Sequence, residues 1–287
     1  TLEDAFLKGT YSPKVTWAQW SGNEVILNGK SILNPVTLST SDLQPKPKTA
    51  REWIPKEANE AKKVTDSAYV CRIKNNLYLA TPQGIKAITS NMDEGIVSGS
   101  TVSRNEFGIN GGIFISPDSR LVAYYTKDET LVADFPLLDI EGNGSLKSIK
   151  YPMAGEKSEK ISASVYNITT GATVTLKTDC FDKEQYLTNL CFSPDCRKIY
   201  IMVLARDQRH LQLNEYDAVT GEKTKTILTE TEEKYVENCE PIDFIKGSND
   251  KFIYVTNVRD GYKNLYLCTT EGKIERLTKI DADLEYL

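Results

Sequence analysis

Asn76-Leu77-Tyr78-Leu79 is followed, eight residues after its asparagine, by Gly84 and then by Ile85-Lys86-Ala87-Ile88-Thr89. Asn264-Leu265-Tyr266-Leu267 is followed at the same offset by Gly272 and then by Ile274-Glu275-Arg276-Leu277-Thr278. Two weaker copies lie between them: Val165-Tyr166-Asn167-Ile168 leads to Gly171 and Val174-Thr175-Leu176, and Leu213-Asn214-Glu215-Tyr216-Asp217 leads to Gly221 and Ile227-Leu228-Thr229. Each copy reads as strand, tight turn, strand, with the glycine supplying the positive φ that the turn requires. Val25-Ile26-Leu27-Asn28-Gly29 reads as a first copy, Asn-Gly being a strong hairpin signal.

These glycines stand at 29, 84, 171, 221 and 272, with spacings of 55, 87, 50 and 51. A second landmark runs in phase with them. Ser116-Pro117-Asp118-Ser119 lies between Phe114-Ile115 and Leu121-Val122-Ala123-Tyr124-Tyr125, and Ser193-Pro194-Asp195 lies between Cys191-Phe192 and Ile199-Tyr200-Ile201-Met202-Val203. Gly247-Ser248-Asn249-Asp250 lies in the same way between Phe244-Ile245 and Phe252-Ile253-Tyr254-Val255. Proline presets φ at such a corner, and serine or aspartate bonds the backbone that follows. Two hairpins per repeat of about fifty residues make four strands, the blade of a β-propeller. A β-sandwich also alternates strands with turns, but it does not repeat one hairpin signature at near-constant spacing.

The expected fold is therefore all-β, a propeller of four-stranded antiparallel blades over 1–287, an incomplete set of about five to six. The long spacing hides roughly 35 extra residues between Tyr125 and Ser162. Residues 39–63 break the pattern and read as an irregular connection or insertion, with a short helix expected from Pro55 to Lys63. A further blade is expected beyond Leu287.

Charge and composition exclude several function classes. A net charge of -5, with basic residues interspersed among Glu52, Glu57 and Glu60, argues against a nucleic-acid partner. No apolar run approaches the ~20 residues of a transmembrane helix. Six cysteines without a C-x-x-C pair, and His210 as the single histidine, argue against a metal site, and no cofactor motif is present. Cys191 and Cys196 flank a turn that a disulfide could close, although buried free thiols are the reading favoured there. No Gly-x-Ser-x-Gly nucleophile elbow occurs: Ser98 and Ser100 beside Gly99 lack the pattern, and His210 sits in a polar stretch that reads as a hairpin tip. No catalytic residue is assigned.

An ordered set of segments then carries a resemblance: Ala68-Tyr69-Val70, Asn75-Asn76-Leu77-Tyr78, Arg104-Asn105-Glu106-Phe107-Gly108-Ile109, Ser116-Pro117-Asp118, Ala123-Tyr124-Tyr125, Asp134-Phe135-Pro136-Leu137 and Tyr151-Pro152-Met153-Ala154-Gly155. It continues more thinly through Tyr216-Asp217 and Arg259-Asp260-Gly261-Tyr262. Together they resemble the propeller of dipeptidyl peptidase IV, within the prolyl oligopeptidase family, and especially its bacterial members.

The resemblance implies a secreted or periplasmic serine exopeptidase in which a propeller caps a C-terminal α/β-hydrolase domain. Such an enzyme releases X-Pro or X-Ala dipeptides, and its relatives commonly form homodimers. It also implies a substrate-binding role for Glu106, Asn105 and Arg104. The family's two adjacent glutamates, which grip the substrate's α-ammonium, map onto Asn105-Glu106. A carboxylate fixed in a partly dry cavity pairs with the ammonium and limits how far the chain can enter. Breaking such a buried pair costs about 2–5 kcal/mol. Asn105 can still accept a hydrogen bond but contributes no charge. The family's substrate-contacting arginine has no assignable equivalent in residues 1–67. The competing reading is a stand-alone propeller acting as a protein-binding or scaffold module.

Overall fold

The computed structural model describes residues 18–21, 23–28, 30–42, 53–140, 144–181, 184–237 and 240–284. The chain divides into two compact units, Thr1–Glu52 and Trp53–Leu287.

In the first unit, β1 (Ala18–Ser21), β2 (Glu24–Leu27), β3 (Ser31–Leu33) and β4 (Thr40–Asp42) form a four-stranded antiparallel meander. Asn28 takes a positive φ of 51° and Lys30 N–H bonds Leu27 O at 3.0 Å, closing the β2–β3 hairpin; Gly29 lies outside the described residues. This turn joins the second strand to the third, one strand out of phase with the glycine turns downstream.

The second unit holds four sheets of blade form. The first is β5 (Glu60–Thr65), β6 (Ala68–Ile73), β7 (Asn76–Thr81) and β8 (Gly84–Ala87), in sequence order. The second is built from β9 (Ile96–Ser98), β10 (Ile113–Ile115) and β11 (Leu121–Asp128), then β14 (Lys160–Asn167) and β15 (Thr173–Thr175). Between β11 and β14 the chain leaves the sheet as a separate hairpin, β12 (Asp134–Leu138) with β13 (Leu146–Lys150). It returns as β14 and β15. That excursion is the extra length behind the long glycine spacing. The third sheet is β16 (Gln185–Phe192), β17 (Lys198–Ala205), β18 (His210–Asp217) and β19 (Lys223–Thr231), and the fourth is β20 (Asp243–Phe244), β21 (Lys251–Thr256), β22 (Asn264–Thr269) and β23 (Ile274–Arg276). Among the described residues, five sheets thus have blade form.

The two turn landmarks occupy constant places. In the second unit's sheets the glycine turns join third strand to fourth, at Gly84, Gly171, Gly221 and Gly272, all with positive φ. The serine–aspartate turns join first to second. In each, the serine hydroxyl donates to the aspartate, Ser116 to Asp118 and Ser193 to Asp195 at 2.7 Å, and Ser248 to Asp250 at 2.5 Å.

Packing follows the two-residue period of a strand. On β17, Ile199, Ile201 and Val203 join Ala123, Tyr125 and Val165 of the second sheet in one core. Their alternates Tyr200, Met202 and Leu204 join Phe252, Tyr254 and Tyr266 of the fourth sheet in another. Val122 and Tyr124 on β11 face the first sheet's Val70, Leu77 and Leu79. Middle strands are buried on both faces, which is why they read as continuous apolar runs.

The helix expected from Pro55 to Lys63 does not form: residues 56–57 turn and β5 begins at Glu60. Glu60-Ala61-Lys62-Lys63 carries helix-forming residues, yet the ladder with β6 (Glu60↔Arg72, Lys62↔Val70) and the burial of Val64 outweigh that weak local preference. Cys191 and Cys196 are free, as are Cys71, Cys180 and Cys268; Cys239 lies outside the described residues. His210 is exposed at the start of β18, directly after the Asp207–Arg209 turn.

Candidate substrate-binding site

Between β9 and β10 the backbone makes an uncommon turn. Ser103 (φ 49°), Arg104 (φ 53°, ψ 34°) and Asn105 (φ 64°) are successively left-handed. Glu106 returns to extended geometry (φ -72°, ψ 168°), and Phe107 is left-handed again at φ 56°. For residues with a Cβ the left-handed region costs about 1–2 kcal/mol each, less for asparagine. Such a run persists only where its surroundings hold it. Asn105 N–H bonds Val102 O at 3.2 Å and Glu106 N–H bonds Ser103 O at 2.9 Å, with Val102 buried as the foot of the turn. The Phe107 ring packs on Tyr186 at 4.7 Å, and Phe107 O accepts from Asn189 Nδ2 at 3.2 Å.

The turn forms one wall of a cavity of about 770 Å3. Other walls come from Lys150 and Tyr151 at the end of the β12–β13 hairpin, from Ser158 and Glu159 ahead of β14, and from Tyr186 and Arg206 of the third sheet. Arg104, Asn105 and Glu106 all line it, so the structure brings the three residues singled out in the sequence to one place. Their side chains are not equivalent. Arg104 donates from Nη2 to Lys150 O at 2.5 Å and lays its guanidinium 4.3 Å over the Tyr151 ring, tying the turn to the hairpin. The Glu106 carboxylate, exposed to the cavity, has no ion-pair partner among the described residues.

The surrounding charges are mostly matched. Lys127 pairs with Glu129 at 2.9 Å, and Arg206 lies 3.6 Å from Glu184 while donating to the Tyr186 hydroxyl. Burial pushes the Tyr186 hydroxyl up from its ordinary pKa; Arg206 opposes the shift, and the negative charges of Glu106 and Glu184 add to it. Burial likewise raises Glu159, against the lowering effects of the Ser103 N–H, Lys127 and Arg104, with Glu129 adding to the rise. An unpaired carboxylate on a half-enclosed wall can accept two or more N–H donors from a cationic group entering the cavity. Among the described residues, no group of three or more His, Cys, Asp or Glu side chains is placed to hold a metal ion.

Glu159, Tyr186 and Arg206 escaped the sequence reading. Tyr186 and Arg206 share a sheet with a legible repeat but not a legible motif, and Glu159 sits 56 residues from Ser103 in a polar stretch that gives no signal.

Residues 42–284 match the family model described as the dipeptidyl peptidase IV (DPP IV) N-terminal region. A solved structure from Bacteroides ovatus, described as a candidate dipeptidyl aminopeptidase IV, is 32% identical over 97% of this chain with a TM-score of 0.71. Porphyromonas gingivalis dipeptidyl peptidase 4 is 19% identical over 94% of the chain at a TM-score of 0.71, a likeness of fold. The chain spans 42% and 38% of the length of those two proteins. With the family model covering most of its length and the blades in place, the chain belongs to the dipeptidyl peptidase IV N-terminal region family.

Proposed function

We propose that this chain is the substrate-gating propeller of a serine dipeptidyl peptidase, binding a peptide's free α-ammonium at Glu106 while a hydrolase domain outside these residues cleaves after the second residue. The observation that carries this reading is the unpaired Glu106 carboxylate, held by a left-handed turn on the wall of a large cavity. A fixed anion at one end of a cavity converts chain length into specificity, because only a free N-terminus brings a cation to that point. Asn105 has a conformational rationale: at φ 64° asparagine is tolerated better than glutamate, at the cost of one negative charge. That lost charge also favours the alternative, a propeller serving as a protein-binding or scaffold module with an idle site. A hydrolase domain as partner fits the larger size of the matched peptidases, of which this chain spans 42% and 38%; a secreted or periplasmic location for the parent protein is part of the same proposal, as is a homodimer.

The test is Glu106→Gln in the full-length protein, assayed on a chromogenic X-Pro substrate. The variant is expected to raise KM by about tenfold or more with a smaller change in kcat, since a charge-assisted contact made already in the bound ground state is lost. Unchanged kinetics would end the ammonium-binding role and leave the scaffold reading.

A further inference from the structure

We propose that Glu159 is the positioning residue for this site: its carboxylate takes the backbone N–H of Ser103 and thereby sets where the Glu106 side chain stands in the cavity. The proposal rests on the ammonium-binding reading of Glu106.

Glu159 is suited to the task by what lies on either side of it. It immediately precedes β14, whose eight residues pair in unbroken register with β11, from Asp128↔Lys160 to Leu121↔Asn167. Ile161, Ala163 and Val165 of that strand are buried in the core. A side chain leaving the first residue before such a strand starts from a fixed point. Its Oε1 lies 2.5 Å from Ser103 N, a bond spanning 56 residues of sequence. Ser103 is the first of the left-handed residues, so the direction of its N–H sets the direction of the whole turn. The Ser103 hydroxyl is buried with no hydrogen-bond partner among the described residues, which leaves the backbone N–H as that residue's polar tie outside the turn.

The other attachments act elsewhere. Arg104 reaches out from the turn to the Lys150 carbonyl at the end of the β12–β13 hairpin, and Phe107 and Asn189 fix the exit. Among the described residues, Glu159 grips the entry of the run from the position next to a core strand. Direct ammonium binding is the other role open to a carboxylate on this wall. One of its oxygens is already committed to Ser103, and the positive charges of Lys127 and Arg104 act on it from nearby. A side chain so engaged orients its neighbour better than it binds a ligand.

Two conservative variants separate the roles. Glu159→Gln keeps an acceptor oxygen at the same reach and removes the charge. Glu159→Asp keeps the charge and withdraws the oxygen by one methylene, about 1.5 Å. Both are measured in the full-length protein beside Glu106→Gln, on a free-amine X-Pro substrate and on its N-acetylated counterpart. Positioning predicts that Glu159→Asp raises KM for the free amine by about tenfold with little change in kcat and narrows the preference over the acetylated substrate. Glu159→Gln should then recover most of that loss, an effect that a merely structural defect would not show. The proposal is overturned if Glu159→Gln is impaired as much as Glu159→Asp, or if Glu159→Asp keeps the wild-type KM. If Glu106→Gln raises KM and Glu159→Asp does not, positioning alone fails. If Glu106→Gln also leaves KM unchanged, the ammonium reading falls and the proposal with it.

Discussion

Glu230 shows what a single buried carboxylate costs when its partners only partly match it. Its side chain is 2% exposed; Oε2 accepts from the Tyr254 hydroxyl at 2.8 Å and from Thr256 Oγ1 at 3.0 Å. Oε1 has no hydrogen bond and lies 3.7 Å from Arg259 Nε, beyond hydrogen-bonding range. Burial raises its pKa; the bonds from Tyr254 and Thr256 and the charge of Arg259 offset part of the rise, and Glu232 adds to it. The folded chain therefore holds this proton more tightly than the unfolded chain does. Stability from Glu230 is greatest below the ordinary glutamate pKa of about 4.3 and falls as pH climbs to the raised folded value, then stays level. Glu230→Gln abolishes that titration while keeping an acceptor for Tyr254 and Thr256. The difference in Tm, variant minus wild type, should become more positive as pH rises above about 4, whatever its acid value. A flat or falling difference in thermal melts would show that Glu230 does not titrate upward in the fold.

At the scale of the element, the turns explain why so much of this fold can be read from the chain. Asn167 Oδ1 accepts the N–H groups of Thr169 and Thr170 at 2.9 and 3.0 Å, and Asp217 Oδ1 accepts those of Val219 and Thr220 at 3.0 Å. Gly171 N–H and Gly221 N–H then bond back to the carbonyls of Asn167 and Asp217. This chemistry is local, so it leaves a residue pattern at a fixed offset. What depends on distant partners leaves none: β5 is a strand because β6 lies beside it, and the left-handed run at Ser103 and Arg104 has no glycine to announce it. Glu106 stands out in the sequence only through the ordered company of motifs around it, and its place on the cavity wall comes from the structure. Two of the turns make a controlled comparison. Gly171 (φ 75°) and Gly221 (φ 74°) share a backbone, but a Cβ at 171 would meet the movable Lys86 Nζ at 2.9 Å. A Cβ at 221 would stand 2.5 Å from the Thr175 carbonyl oxygen, which is main chain and cannot swing aside. Gly171→Ala should cost about 1–2 kcal/mol, the left-handed penalty alone, and Gly221→Ala about 1–3 kcal/mol more through overpacking. Urea denaturation measures both, and equal losses would mean that the backbone at Thr175 yields freely.

For residues 53–287 taken together, the decisive feature is that neighbouring sheets share cores rather than owning them. Ile201 and Met202 are adjacent on β17 and both fully buried, yet Ile201 packs toward the second sheet and Met202 toward the fourth. A blade presents two faces and can bury neither alone, so its stability is a sum of its own strand pairing and the interfaces with its neighbours. Truncating either side chain to alanine should cost about 2–5 kcal/mol through lost burial and an unfilled cavity. Because the two cavities open into different interfaces, the double variant should lose nearly the sum of the single losses. Coupling through shared faces further predicts one unfolding transition for this unit, lowered by either substitution. In calorimetry, Met202→Ala should shift the whole endotherm of the unit downward. If instead it split off an early transition confined to the third and fourth sheets, each interface would be breaking by itself and the blades would not be energetically joined through β17.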